Sequence, residues 1–183
     1  MTNTSIAVLV GSLRSDSVNR QLAEVLRAQA PQDVTIEIID GLGEVPFYNQ
    51  DLDTPDDIPA TAARLRDQVS RADRVLAVTP EYNGRMPAVL SNAIDWLSRP
   101  YGAGALVGKP FGVVGVTPTP YGGQWAHADA VRSAGIAGAK VVEDVTVSQS
   151  ALEVDVLTDP DVLARLTNAV RVLVDYDAEQ AAA

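Results

Sequence analysis

Two loops hold the side chains whose types and spacing suit ligand chemistry. The first runs Gly11-Ser-Leu-Arg-Ser-Asp-Ser-Val-Asn-Arg20. Gly11 lets the chain turn without a side-chain clash, and Ser12, Ser15, Ser17 and Asn19 supply hydroxyl and amide donors. A helix start leaves about four backbone N–H groups unpaired and carries roughly half a positive charge. A phosphate placed there collects several hydrogen bonds at once. Arg14 and Arg20 add charge, although Arg20 lies far enough into the helix to point elsewhere. Asp16 is awkward beside a dianion and is expected to face solvent. Capping by Ser17 explains one serine. It does not explain three serines with Asn19 and Arg14 in one loop, so Gly11–Asn19 reads as a phosphate cradle.

The second loop is Thr79-Pro-Glu-Tyr-Asn-Gly-Arg-Met-Pro87. Pro80 and Pro87 stiffen it, and Gly84 permits a sharp turn. Glu81, Tyr82 and Asn83 bring backbone and side-chain groups that suit a flat ring with polar edges. Taken alone, a β–α turn with Asn-Gly punctuation accounts for it equally well. A third glycine-rich stretch, Gly102–Lys109, fails as a nucleotide loop. Ala103 stands where the Walker pattern needs glycine, Pro110 replaces its Ser/Thr, and Val107 spoils G-x-G-x-x-G. It reads as a flexible linker.

The rest of the composition is poor in protein-supplied chemistry. The chain has no cysteine and one histidine, His127. Thiol catalysis, disulfides and cysteine-based metal sites are excluded, and no G-x-S-x-G presents a serine to the histidine. No metal site and no catalytic side chain is assigned. A lone His127 without an identified partner reads as a packed or exposed helix residue. If the protein is an enzyme, a cofactor does the chemistry. The formal charge of -10 opposes general binding to nucleic acid or anionic membrane. No apolar run is long enough to span a bilayer, and the start MTNTS lacks a basic signal-peptide region. A cytoplasmic protein with one domain over residues 1–183 is the expectation.

The elements that position the loops follow from hydrophobic periodicity. Ser5–Val10, Val34–Ile39, Arg74–Val78, Pro110–Val116 and Ala139–Val142 read as strands, mostly continuous apolar runs covered on both faces. Val18–Ala28, Ile58–Ser70, Ala88–Leu97, Trp125–Ala134 and Asp159–Tyr176 read as helices. Asp40–Pro59 is loop-like, with Pro46–Tyr48 as its apolar centre, and Asp177–Ala183 is expected to fray. Alternating strands and helices imply parallel β–α units with right-handed crossovers. The fold class is α/β, a flavodoxin-like doubly wound five-stranded parallel sheet with helices on both faces. The order 2-1-3-4-5 is taken by analogy. It would set strands 1 and 3 side by side at the switch point, with both loops beyond their carboxyl ends.

The order GSLRxxSxN, about sixty residues, TPEYN and then NAIDWLSRP resembles the NADPH-dependent FMN reductase family, which includes quinone, azo-dye and chromate reductases. The resemblance covers most of the chain. It implies FMN as cofactor and hydride transfer from NADPH, or NADH, through FMN to a small-molecule electron acceptor in a ping-pong cycle. Carried onto this sequence, it places Ser12, Arg14, Ser17 and Asn19 around the FMN phosphate, with Arg20 adjoining. Pro80, Glu81, Tyr82, Asn83 and Gly84 lie along the isoalloxazine ring. A third contact is expected from Thr117 and the loop Thr117–Gly123, whose two prolines depart from the expected glycine- and serine-rich form. Arg85 is a second departure, suited to a nicotinamide-cofactor phosphate or to a neighbouring subunit. Relatives pair through the helix matching Ala88–Leu97, so a homodimer or homotetramer is expected, and Trp96 on that helix belongs to core or interface. The alternative functional reading is a flavodoxin-type FMN electron carrier that does not use pyridine nucleotide directly. A phospho-acceptor domain ranks third, because it needs acidic residues where Gly11-Ser12 and Thr79-Pro80 stand.

Overall fold

The computed structural model describes residues 3–176, so the expected fraying of Asp177–Ala183 lies outside the described residues. Strands β1 (Thr4–Val10), β2 (Val34–Ile38), β3 (Arg74–Val78), β4 (Pro110–Thr117), β5 (Lys140–Val141) and β6 (Val147–Ser150) alternate with helices. These are α1 (Val18–Ala28), α2 (Ala60–Arg71), α3 (Ala88–Leu97), α4 (Gln124–Ile136) and α5 (Pro160–Asp175). The sheet is parallel in the order β2-β1-β3-β4-β5, with β6 also on β4. This is the flavodoxin-like order taken by analogy, with one strand added.

The central strands are apolar on both faces because both faces are covered. Ala7, Leu9, Val75, Ala77, Phe111 and Val113 pack under α2, α3 and α4. The alternate residues Ile6, Val8, Val10, Leu76, Val78, Val114 and Val116 pack under α1 and α5. Edge strand β2 instead alternates buried and exposed positions.

The fifth strand is divided. β5 pairs only with Pro110 and Phe111, whereas β6 runs beside Val114–Thr117. Between them a 3-10 turn, Glu143–Val145, puts the Val145 side chain where a Cβ on Gly112 would sit. The glycine thus accepts the plug that breaks the strand. β6 escapes a periodicity reading because VSQS has no apolar alternation and all four residues are half-buried.

Two expected loops have firm structure. The Asp40–Pro59 stretch holds two 3-10 turns. It is tied down by Arg66, which makes a bidentate pair with Asp53 at 2.7 and 2.8 Å and donates to the Trp96 carbonyl. Trp96 is buried and donates its indole N–H to the Pro46 carbonyl. In the Gly102–Lys109 stretch, Lys109 donates to the Ser70 and Ala72 carbonyls at the end of α2, as a cation at a helix C-terminus should.

Candidate functional site at the switch point

β1 and β3 end side by side, and the two loops leave from there. Gly11 donates its N–H to the Val78 carbonyl. A Cβ on Gly11 would stand 2.4 Å from the Thr79 hydroxyl, so glycine is what lets the two strand ends touch. Thr79 is buried and turns its hydroxyl onto the Pro80 carbonyl.

In the first loop Ser17 is the N-cap of α1, accepting from the Arg20 N–H at 3.2 Å. The Gln21 N–H goes to the Ser17 carbonyl. Val18 and Asn19 are left as the first-turn N–H groups without an intrahelical acceptor. Arg14 and Asp16 are both exposed and pair with each other at 3.1 Å. Asp16 faces solvent as expected, and there it pairs with Arg14 instead of standing alone.

Two first-loop residues are not where a phosphate role would put their side chains. Arg20 turns away to Asp40 at 2.6 Å and to Glu24. Asn19 is buried, donating to the Val116 carbonyl at 2.9 Å and accepting from the Val116 N–H at 3.0 Å. Both polar atoms are therefore committed to β4. Only the main chain of Asn19 remains for an anion.

The second loop is a two-residue hairpin. Tyr82 and Arg85 exchange two N–H···O bonds of 3.0 Å. Asn83 and Gly84 have φ of +54° and +70°, the left-handed pair of a type I′ turn that Asn-Gly favours. The Glu81 carboxylate does not face the loop's open side. It accepts from the Trp125 and Ala126 N–H groups, each at 3.0 Å. It thereby caps α4, whose own N-cap residue is Gly123 and offers no side chain. A negative charge there is favourable.

The third loop comes to the same end of the sheet. Thr117 is buried, with its hydroxyl 2.9 Å from that of Thr119 and its carbonyl accepting from the Ala151 N–H. Below it lies His127, fully buried, its Nδ1 2.7 Å from the Ser148 hydroxyl. A Cβ on Gly115 would meet both the Thr79 carbonyl and His127 Nε2. Burial pushes the imidazole down to about 4, against smaller opposing effects from the Thr79 carbonyl and Glu81. His127 is thus a neutral packed strut. Nothing in the sequence marks Ser148 as its partner, because the two meet only through β6. A 280 Å³ cavity between α1 and α5, lined by Pro31, Asp33 and Val34 among others, lies at the amino ends of the strands. Ligands of doubly wound sheets bind at the opposite, carboxyl ends.

The description NADPH-dependent FMN reductase belongs to the family model that matches residues 4–152, from β1 through both loops to the residues just beyond β6. The chain belongs to this family. It is 47% identical over 123 residues to a quinone reductase of Pseudomonas putida, a match of 67% of this chain and 65% of that one. It is 40% identical over 94 residues to a quinone reductase of Escherichia coli K12, 51% of this chain and 50% of that one. The matched stretches span less than two thirds of either curated relative. FerB, a flavoenzyme NAD(P)H:(acceptor) oxidoreductase from Paracoccus denitrificans, superposes with a TM-score of 0.84 at 34% identity, covering 97% of this chain and 98% of its own. An azoreductase from Bacillus anthracis, at 20% identity and a TM-score of 0.65, shares the fold of this family member.

Proposed function

We propose that the chain is an FMN-dependent NAD(P)H oxidoreductase acting on quinones and related small-molecule acceptors. Family membership and the names of its relatives support the activity. The observation that carries it is the meeting of the two loops at the switch point, with an open helix start on one side and a stiff hairpin on the other.

The donor set fits FMN. The phosphate would be held by the first-turn N–H groups of Val18 and Asn19, the hydroxyls of Ser12 and Ser17, and Arg14. Ser17 can donate its hydroxyl proton while accepting from Arg20. Arg14 must leave Asp16, and an exposed ion pair of that kind holds it only weakly. The isoalloxazine would lie along Pro80, Tyr82, Asn83 and Gly84, with Glu81 and Thr117 acting through the backbone and loops they fix. Bound FMN would supply the two-electron chemistry that links NAD(P)H to the acceptor, in a ping-pong cycle. The protein's part is to hold the ring rigid and leave one face open.

The test is an absorbance spectrum of the purified protein, then anaerobic titration with NADPH and NADH. Flavin bands that bleach with nucleotide and return with a quinone are expected. Protein that stays colourless with added FMN and oxidises no NADPH would sink the reading. We propose further that a homodimer or homotetramer is the working unit. Tyr101 and Ile136 are largely exposed and Val107 partly so, all lining a 410 Å³ groove between α3 and α4. A monomer mass by light scattering at micromolar concentration contradicts this.

A further inference from the structure

Beside the second loop, two arginines share one carboxylate. Asp129 and Arg132 stand on α4, and Arg85 closes the hairpin. Asp129 is 8% exposed. Its Oδ1 accepts from Arg132 Nη2 at 2.8 Å. Its Oδ2 lies 3.4 Å from Arg85 Nε and accepts no hydrogen bond from the described residues. The arginine side chains themselves are 71% and 69% exposed. Two positive charges against one negative leave an excess of one, and most of the guanidinium N–H groups face outward.

These groups border an open hollow of about 390 Å³, whose other walls are Gly84, Trp125 and Ala128. Trp125 is 47% exposed and lies against Tyr121, ring centroids 4.8 Å apart. Its backbone N–H is held by Glu81, so the helix start that carries Trp125 is fixed to the same hairpin that carries Gly84 and Arg85. Burying a carboxylate costs more than a surface ion pair returns. What Asp129 achieves is to fix two flexible cations on one wall. Planar guanidinium forks suit the oxygens of phosphate, sulfonate and carboxylate groups.

We propose that Arg85 and Arg132, held by Asp129 and backed by Trp125, form an anion-recognising subsite at the lip of the flavin site, taking a phosphate, sulfonate or carboxylate carried by a ring-bearing ligand. This rests on the reductase reading for the ring's position. The anion has two sources of shared chemistry: the phosphates of the pyridine nucleotide, or an acidic substituent on the acceptor.

The experiment compares wild type with Arg85→Ala, Arg132→Ala and the double variant. Four ligands are used: NADPH, the phosphate-free dihydronicotinamide riboside, anthraquinone-2-sulfonate and the uncharged menadione. Loss of binding made equally in ground and transition states raises KM and spares kcat. The double variant is expected to raise KM about tenfold for an anionic ligand, with at least a fivefold smaller change for its uncharged counterpart. Arg85→Lys should recover part of the loss. A penalty on NADPH assigns the subsite to the donor, and a penalty on the sulfonate alone assigns it to the acceptor. No penalty, or equal penalties on charged and uncharged ligands, overturns the proposal. Equal penalties with a changed subunit mass overturn it in favour of an interface. Should the wild type bind no flavin, the reductase reading fails separately. NADP⁺ quenching of tryptophan fluorescence in flavin-free protein then decides, since wild-type quenching that survives in the double variant, or absent quenching in the wild type, overturns the subsite.

Discussion

Replacing Asn19 by alanine separates a structural brace from a phosphate ligand. β4 runs past the end of β3, whose last strand contact is the Thr79 N–H to the Val114 carbonyl. The next residue on that side, Val116, has lost its neighbour. The Asn19 amide takes the place of the missing peptide group, donating to the Val116 carbonyl and accepting from its N–H. Alanine leaves both groups buried and unpaired, at about 1–3 kcal/mol each. Its better helix propensity returns about 0.5 kcal/mol. A net loss of about 3 kcal/mol is expected, which for a chain of this length lowers Tm by about 6–12 °C. The assay is thermal and urea unfolding of the flavin-free protein, alongside FMN titration. The reasoning is refuted by an Asn19→Ala variant that unfolds like wild type but binds FMN poorly, for then the side chain serves the ligand.

Three further outcomes follow from the same geometry. Arg14→Ala should weaken FMN retention while saturating FMN largely restores turnover, because Arg14 is exposed and braces nothing; unaltered FMN affinity contradicts its assignment. Asp53 is held below the usual carboxylate range, first by its hydrogen bonds from Arg66. Its contribution is complete above about pH 3.9, its unfolded value, and is lost as pH falls through the lower folded value. Losing the charge from these hydrogen bonds in Asp53→Asn should therefore cost about 2 kcal/mol at neutral pH, a difference that narrows in acid, read by urea midpoints across pH. His127 falls from 6.5 to about 4 on folding, so below pH 6.5 the unfolded chain takes up a proton the folded chain refuses. Stability should drop by up to about 1.4 kcal/mol per pH unit between those values, and His127→Gln should flatten that slope. A wild-type slope no steeper than the variant's speaks against the buried neutral imidazole.

Much of the architecture was legible because apolar runs and their breakers are local. The bounds of α1, β3 and α3 are those the periodicity gives. β6 was not legible, since a half-buried edge strand of Ser and Gln carries no apolar rhythm. The site was legible as a place and not as a set of roles. Ser17 and the Asn83-Gly84 turn act within a few residues of themselves, so their spacing reveals them. Asn19 answers to Val116, Glu81 to α4, and His127 to Ser148. These partners meet only in the fold, and a polar side chain of given type looks the same whether it binds a ligand or closes a gap.

That distinction changes what the two motifs are for. Thr79 against Gly11, Asn19 against Val116 and Glu81 against the start of α4 join the ends of β1, β3 and β4 to the helices that follow. The polar residues that looked most like ligands are spent on these joins, and the groups left facing outward are largely main-chain N–H donors and a few hydroxyls. Backbone donors fixed in this way lose little freedom when a phosphate arrives. Changes at Asn19 and Glu81 should accordingly register first as lost stability and only then as lost affinity. Arg14, and the pair Arg85 and Arg132, stand outside the braced frame. At Arg14 binding can be altered while the fold is left intact, whereas Arg85 and Arg132 touch the frame only through Asp129, whose buried carboxylate loses its partners when both are removed.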